Sequence, residues 1–211
     1  MGNCSPRKAE SAPPQIIVVG TVSSGKNTIL QHLKKESLPS VGLDGDTVTL
    51  NGIALSSWEL GGRSSLQFFF RLYYKAAQGI VLVVDSAMHE YMDHAFDYFN
   101  WLILQEEETK GMTVMVLANK QDLPQALNCE EVEKRFREKF PSTPDHKIFF
   151  KPCVATTGEG IREAFNEFST KLKLADANNP EGGNVEKGKK EKSMKSFFKK
   201  PISFVKSVLM Y

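Results

Sequence analysis

Four short apolar runs recur along the chain, and segments with helical spacing separate them. Short apolar runs of this kind are typical of strands that are buried on both faces of a parallel sheet. The runs cover residues 16–19, 79–85, 114–117 and 149–154. The segments with helical periodicity cover residues 28–35, 95–106, 130–140 and 161–174. This alternation predicts an α/β fold in which helices cover a mostly parallel sheet.

Two further strands, residues 46–50 and 53–58, are predicted on either side of the Asn51-Gly52 dipeptide. Asn-Gly is a strong hairpin signal because both residues accept the positive φ angles that a tight two-residue turn requires. The sequence therefore predicts six strands, two of which form an antiparallel hairpin within the mostly parallel sheet.

Composition divides the 211 residues into one domain with two appendages. Residues 1–14 are polar and contain three prolines, which predicts a flexible arm. Residues 15–175 form the predicted domain, and the chain is 41% hydrophobic, enough for a sizeable core. Residues 176–211 form a polar linker followed by a basic tail. There is no run of 18 apolar residues and no apolar signal core, so neither a transmembrane helix nor secretion is expected.

The net charge of +2 conceals an uneven distribution along the chain. From residue 187 onward there are eight lysines and one acidic residue, so the tail carries +7 and the remainder −5. Within residues 194–211 lysines alternate with large apolar residues, and Ile202, Val205 and Leu209 share one helical face. Such a basic amphipathic segment favours an anionic membrane surface; a groove on a partner protein and a solvated tail are the alternatives.

Cysteine and histidine usage narrows the choice of compartment and chemistry. The three cysteines, Cys4, Cys129 and Cys153, are odd in number and widely separated, which indicates a reducing compartment rather than a disulfide framework. The four histidines lack the spacing of metal ligands, so we expect no histidine-based metal site.

A glycine-rich segment, residues 20–26, follows the first predicted strand and opens the first predicted helix. Gly20 and Gly25 allow the backbone to wrap around phosphate groups with its N–H groups pointing inward, and Ser23 and Ser24 belong to the predicted nucleotide-binding residues. The amino terminus of the helix adds a favourable dipole for an anion. Lys26 would neutralise the β- and γ-phosphate oxygens, so the segment has the features of a phosphate-binding loop.

The residue after this lysine departs from the usual pattern. A serine or threonine hydroxyl normally binds Mg²⁺ there, whereas this chain has Asn27. Thr28, which follows in the predicted nucleotide site, is a poor substitute because one helical residue turns the side chain by about 100°. An amide is longer and bulkier than a hydroxyl, and Mg²⁺ tolerates little departure from octahedral geometry. We therefore expect weak Mg²⁺ binding.

A second motif, Asn119-Lys120-Gln121-Asp122, comes directly after the third apolar run. The Asp122 carboxylate can accept hydrogen bonds from the guanine ring N–H and from the exocyclic amine next to it, and adenine has no amine at that position. Asn119 would brace the loop and face the base, and the aliphatic stem of Lys120 would cover the base. The motif therefore predicts specificity for guanine.

Two further segments lead to a family resemblance. Residues 58–63, Trp-Glu-Leu-Gly-Gly-Arg, resemble the entry to switch II of the ADP-ribosylation-factor (Arf) and Arf-like GTPases, and residues 39–42 resemble their switch I. Ala155 and Thr156 resemble the loop whose backbone N–H contacts the guanine oxygen. The segments occur in the family's order, and the resemblance spans residues 15–175. It implies a small-GTPase, P-loop fold with a six-stranded sheet and helices on both faces, and GTP and GDP as ligands.

The resemblance also assigns roles to residues of the two switches. Gly62 would donate its N–H group to the γ-phosphate, and Ser40 stands where a nucleotide- and Mg²⁺-binding threonine is usual. Glu59 stands where an aspartate is usual. Arg63 replaces the glutamine that orients the attacking water, and an arginine has only donors, so it cannot accept a proton from that water. We therefore expect slow or impaired hydrolysis of GTP.

Partner and membrane contacts are implied by further matching positions. Leu43, Trp58 and Tyr73 fall where family members place an apolar triad that binds effector proteins. The chain begins Met-Gly-Asn-Cys, which resembles an N-myristoylation signal at Gly2 with Cys4 as a neighbouring palmitoylation candidate. Proline occupies the sixth position, where serine or threonine is usual. These features predict a cytoplasmic protein that is peripheral on the cytosolic face of a membrane.

Two functions remain open at this point. The first is an Arf-like molecular switch in vesicle trafficking that binds GTP, hydrolyses it slowly, and meets exchange or activating factors as well as an effector. The second is a pseudo-GTPase, a scaffold that uses the switch surface to bind proteins without turnover. The basic tail lacks a recognised nucleic-acid-binding fold, so nucleic acid is not an expected partner.

Overall fold

The computed structural model describes residues 15–36, 47–50, 53–59, 77–141 and 146–177. Its strands are β1 (Gln15–Gly20), β2 (Thr47–Leu50), β3 (Ile53–Glu59), β4 (Ala77–Asp85), β5 (Thr113–Asn119) and β6 (Lys147–Pro152). Its α-helices are α1 (Lys26–Glu36), α2 (His89–Phe99), α3 (Cys129–Lys139) and α4 (Ile161–Ala177). The predicted alternation of strands and helices is confirmed.

The six strands form one sheet in the order β2-β3-β1-β4-β5-β6. The hairpin is antiparallel, with Leu50 opposite Ile53, and all other neighbouring strands run parallel, as the sequence predicted. The first strand lies between β3 and β4. After β1 the chain first forms the β2–β3 hairpin on one side of this strand and then continues to β4 on its other side. Open α/β sheets bind ligands outside the carboxyl ends of the strands at such a point.

Helices pack on both faces of the sheet, and each face has its own buried apolar cluster. On one face Phe96 of α2 meets Phe136 of α3 edge to face, with ring centroids 5.0 Å apart, above Ile80 of β4. On the other face Ile29 of α1 and Phe165 of α4 belong to a second buried cluster. Both sides of the central strands are therefore buried, which explains why their sequences are apolar without alternation.

The second helix differs most from its predicted bounds. It begins at His89 rather than at residue 95, and beyond Phe99 the chain continues as a π-helical turn, Asn100–Leu104. Beyond Leu104 the chain continues in turns, in which the N–H groups of Glu106 and Thr109 donate to the carbonyl oxygens of Ile103 and Glu106. The buried Thr109 hydroxyl lies 2.6 Å from the first of these oxygens and 2.8 Å from the second, and it can donate its one hydrogen to either.

Several predicted segments lie outside the described residues: the arm at 1–14, the switch segments at 37–46 and 60–76, the Asn51-Gly52 turn, and the linker and tail from residue 178 onward. Among the helices that the structure does describe, none combines the length and the apolar character needed to cross a membrane.

Candidate nucleotide-binding site

The predicted phosphate loop lies between β1 and α1, at the carboxyl end of the sheet. Gly20 is the last residue of β1, and Lys26 is the first residue of α1. Ser23 and Gly25 have positive φ angles of 59° and 100°. Such left-handed residues turn successive N–H groups toward one side, which makes a concavity that suits an anion. The loop therefore has the backbone form that phosphate binding requires.

Close packing also demands glycine at both ends of this loop. A β-carbon added at Gly20 would collide with the carbonyl oxygen of Val83 in the neighbouring strand. One added at Gly25 would collide with the side-chain amide of Asn119. The second contact joins the two sequence motifs directly, because Gly25 belongs to the phosphate loop and Asn119 opens the guanine motif.

The lysine of the loop is held close to the backbone. Lys26 is only 6% exposed, and its Nζ donates a 2.6 Å hydrogen bond to the carbonyl oxygen of Thr21. The ammonium group therefore lies against the loop, where the predicted contact with phosphate oxygens would be made.

The expected Mg²⁺ position would lie beside the first turn of α1, and Ser40, the other residue predicted to bind the ion, is outside the described residues. Asn27 is the exposed second residue of α1, and Thr28 is half-buried beside it. In the part of the chain that the structure describes, no three His, Cys, Asp or Glu side chains converge on a metal position. A single amide oxygen from α1 fits Mg²⁺ less well than a hydroxyl does, because this ion demands near-ideal octahedral oxygen ligands.

Asn119 connects three segments of the site from the end of β5. It is 1% exposed, and its Nδ2 donates a 2.7 Å hydrogen bond to the carbonyl oxygen of Ser24 in the phosphate loop. Its Oδ1 accepts a 2.9 Å hydrogen bond from the backbone N–H of Ala155. Both ends of the amide are therefore used inside the protein, in the bracing position that the motif predicted for this residue.

Lys120 makes a contact that the motif alone did not reveal. Its Nζ lies 2.5 Å from Oδ2 of Asp85, the last residue of β4. The backbone N–H of Ala87 donates to the other carboxylate oxygen, at 3.0 Å. Asp85 is missing from the predicted site residues. The sequence signal for it is an acidic residue at the end of an apolar strand, because a buried carboxylate requires a partner.

An open cleft of about 230 Å³ joins the phosphate loop to the guanine motif. Asp122 is exposed at this cleft, where its carboxylate is free to meet a base. Leu123 is the lining residue that the sequence did not predict. The residues that line the cleft are Ser23, Gly25, Thr28, Asn119, Lys120, Asp122, Leu123, Ala155 and Thr156.

A cysteine lies directly behind the guanine motif. The Sγ atom of Cys153 is 3.5 Å from Oδ1 of Asn119, and burial raises the pKa of this thiol to about 12. At neutral pH the thiol is protonated and inert, so Cys153 contributes packing rather than chemistry.

Several predicted site residues lie beyond what the structure describes, and their roles stay predictions. They are Gly2, Cys4, Ser40, Leu43, Gly62, Arg63, Tyr73 and the side chain of Trp58.

Comparison with known proteins identifies the family. The model of the ADP-ribosylation factor family matches residues 7–172. ADP-ribosylation factor 1 of Brassica rapa subsp. pekinensis is 36% identical over 169 residues, which cover 75% of this chain and 88% of that protein.

Two relatives from other organisms agree with this match. ADP-ribosylation factor-like protein 14 of Mus musculus is 32% identical over 179 residues, covering 82% of this chain and 92% of that protein. ADP-ribosylation factor K of Dictyostelium discoideum is 31% identical over 162 residues, covering 75% and 85%. Arf-like proteins are switches that bind GTP and GDP and act through regulators or effectors. With the strand order and the two joined motifs described above, these matches show that the chain belongs to the ADP-ribosylation factor family.

Proposed function

We propose that this protein is an Arf-like, guanine-nucleotide-dependent switch that acts at a membrane surface and hydrolyses GTP slowly. The observation that carries the proposal is the Asn119 side chain, which ties the phosphate loop at Ser24 to the Ala155 loop. In this site hydrogen bonds connect the segments that would bind the nucleotide, whereas the residues expected for hydrolysis are substituted. Such a site is suited to holding a nucleotide for a long time.

Slow hydrolysis follows from the chemistry of the substituted positions. Arg63 stands where the family has glutamine, and a guanidinium cannot accept a hydrogen bond from the attacking water. It could still lie against phosphate charge. Asn27 offers an amide oxygen in place of a hydroxyl for Mg²⁺, and Glu59 adds a methylene to the usual aspartate. Each change weakens the positioning of water or metal while leaving the phosphate loop and the guanine motif in place.

The membrane part of the proposal rests on the two ends of the chain. A myristoyl group on Gly2 alone would give marginal, reversible binding, so a second attachment is needed. Palmitoylation of Cys4 or insertion of the basic amphipathic tail would supply it. The domain at 15–175 would then sit between an acylated arm and a lipid-binding tail, with Leu43, Trp58 and Tyr73 available to an effector.

The second candidate function is a pseudo-GTPase scaffold, which the same substitutions favour. If Asn27 and Arg63 abolish turnover altogether, the switch surface would serve only to bind proteins. The two candidates differ in whether the purified protein contains guanine nucleotide and turns it over.

Nucleotide content and single-turnover hydrolysis test the proposal. We expect purified protein to contain guanine nucleotide and to hydrolyse GTP slowly, with little response to added Mg²⁺. The double variant Asn27→Thr/Arg63→Gln should hydrolyse GTP faster than wild type in a single-turnover assay. An empty but folded wild-type protein would favour the scaffold, and wild-type turnover equal to that of the double variant would refute the roles given to these two residues.

A further inference from the structure

Asp85 ends β4 directly beside the start of the guanine motif. In the parallel pair β4–β5 its Cα partner is Asn119, so its carboxylate lies next to the residue that follows, Lys120. The register of the sheet brings these residues together although they are 35 positions apart in the chain.

Both oxygens of this carboxylate are engaged by donors. Oδ1 accepts from the backbone N–H of Ala87, and Oδ2 accepts from Nζ of Lys120. The Asp85 side chain is 4% exposed, whereas that of Lys120 is 30% exposed. A buried negative charge requires such partners, so the Lys120 ammonium is drawn inward while the rest of its side chain stays on the cleft.

The Lys120 backbone is held in a conformation that lysine rarely adopts. Its φ angle is 67°, in the left-handed region that costs free energy for any residue with a β-carbon. The carbonyl oxygen of Lys120 accepts the N–H of Leu123, and the N–H of Gln121 donates to the carbonyl oxygen of Cys153. The loop at 119–123 is therefore fixed by several contacts, and the ion pair with Asp85 is the one that holds the Lys120 side chain.

We propose that Asp85 is a positioning residue for the guanine nucleotide, because it holds the Lys120 stem as a wall of the base site before the ligand arrives. A free lysine side chain would lose rotamer entropy on becoming ordered against a base, and preorganisation removes that cost from binding. The assignment rests on the proposed nucleotide-dependent function and adds a residue to it that lies outside both sequence motifs.

The test measures the release of a fluorescent GDP analogue in a double-mutant cycle. Asp85→Asn keeps the shape of the side chain but leaves a single acceptor oxygen for Ala87 and Lys120. We expect release up to about tenfold faster than in wild type, which is the effect of having to order one long side chain when the ligand binds. Lys120→Met keeps the apolar stem without the ammonium. In that background Asp85→Asn should not accelerate release further, because Asp85 acts through the lysine.

The outcomes separate this assignment from the proposed function. Equal acceleration by Asp85→Asn in both backgrounds would assign Asp85 a general structural role and overturn the proposal, as would unchanged release in Asp85→Asn. Hydrogen exchange at the Leu123 amide, measured without nucleotide, should be faster in Asp85→Asn than in wild type. Wild-type protein with no affinity for guanine nucleotide would overturn the proposed function, whereas the exchange comparison would still report whether Asp85 orders the loop. Asp85→Glu keeps the charge and serves as a second variant should Asp85→Asn fail to fold. Its rate of release of the GDP analogue should lie between those of wild type and Lys120→Met.

Discussion

The side-chain amide of Asn119 donates a 2.7 Å hydrogen bond to the carbonyl oxygen of Ser24, which lies 95 residues earlier in the chain. The same side chain accepts the Ala155 N–H at 2.9 Å. A single buried residue therefore fixes the distance between the segment that would hold phosphates and the two segments that would hold the base.

Removal of this amide should damage both stability and nucleotide retention. Asn119→Ala leaves the Ser24 carbonyl and the Ala155 N–H without their partner, and each unsatisfied buried group costs about 1–3 kcal/mol. We expect the free energy of unfolding to fall by roughly 2–4 kcal/mol and guanine nucleotide to dissociate faster. Chemical denaturation and nucleotide-release kinetics measure the two effects.

The matched control for this variant is Asn128→Ala. Asn128 caps α3 through a capping box with Glu131 on the protein surface. Its loss should cost about 1 kcal/mol of stability and leave nucleotide release unchanged. Equal effects of the two variants on release would contradict a specific role for Asn119.

Base selection should depend on Asp122. The exposed carboxylate at the cleft can accept two hydrogen bonds from guanine, and adenine cannot supply both. Calorimetry should show tighter binding of GTP than of ATP, and Asp122→Asn should shift the preference toward xanthine nucleotide, whose exocyclic carbonyl oxygen in place of the guanine amine can accept from an amide donor. Equal affinity of wild type for ATP and GTP would refute this role.

Membrane binding should depend on residues 187–211. Each lysine near an anionic surface contributes about 1 kcal/mol, so the eight lysines of this segment together provide a strong, salt-sensitive attraction. Unmodified full-length protein should sediment with vesicles that contain phosphatidylserine, less so as salt rises, and deletion of the segment should abolish most of this binding.

The lipid-modification signal provides the control for that experiment. Gly2→Ala should leave the binding of unmodified recombinant protein unchanged, whereas it should weaken membrane association in cells. If full-length and truncated proteins bound anionic vesicles equally, the tail would have no lipid-binding role and a protein groove would be its better assignment.

Acid should remove the contribution of one ion pair between α2 and α3. Arg135 donates two hydrogen bonds to the Asp93 carboxylate, at 2.8 and 2.5 Å, and this pairing lowers the pKa of Asp93 below 3.8. A lowered folded-state pKa means that the stabilisation is present above the unfolded value and is lost as the pH falls through the folded value. Both side chains are about one-third exposed, so the pair should contribute less than about 1 kcal/mol.

A pH series of unfolding experiments measures this contribution. The difference in unfolding free energy between wild type and Asp93→Asn should be constant from pH 7 to about 5 and should shrink as the pH falls below the ordinary aspartate pKa of 3.8 toward the lowered folded-state pKa. The control is Glu133→Gln, which removes the exposed pair with Arg137 within α3 and should cost only about 0.3–0.5 kcal/mol at pH 7. A difference for Asp93→Asn that does not shrink as the pH falls below 3.8 would contradict an ionic origin.

The sequence was sufficient for the sheet because the central strands are buried on both faces. Residues 114–117 read as a strand from their apolar run alone, and the structure extends that strand to Thr113–Asn119. The start of α2 was missed because its first turns carry His89, Glu90 and Asp93, so that the apolar positions become frequent only from Ala95. The π-helical turn after it, Asn100–Leu104, has no signature in the local pattern of apolar residues.

In the candidate site too, features carried by contiguous residues were predicted and contacts between distant residues were not. The phosphate loop and the guanine motif were predicted because each is a contiguous set of residues with its own chemistry. The contact between Asp85 and Lys120 was not predicted, because it depends on which residues of β4 and β5 stand opposite each other in the sheet. Contacts across a parallel register have no signature in the spacing of a single chain.

The steric contact between Gly25 and Asn119 constrains how this protein could have diverged from its relatives. Any side chain at Gly25 would displace the amide that holds the site together, so Gly25 cannot be replaced while Asn119 keeps its position. Asn27, two positions further along, is exposed on the first turn of α1. Mutations would thus accumulate first at solvent-facing positions of the catalytic machinery, while buried contacts such as that between Gly25 and Asn119 stay unchanged. A lineage under relaxed selection for turnover would lose its catalytic residues long before it lost the shape of its binding site.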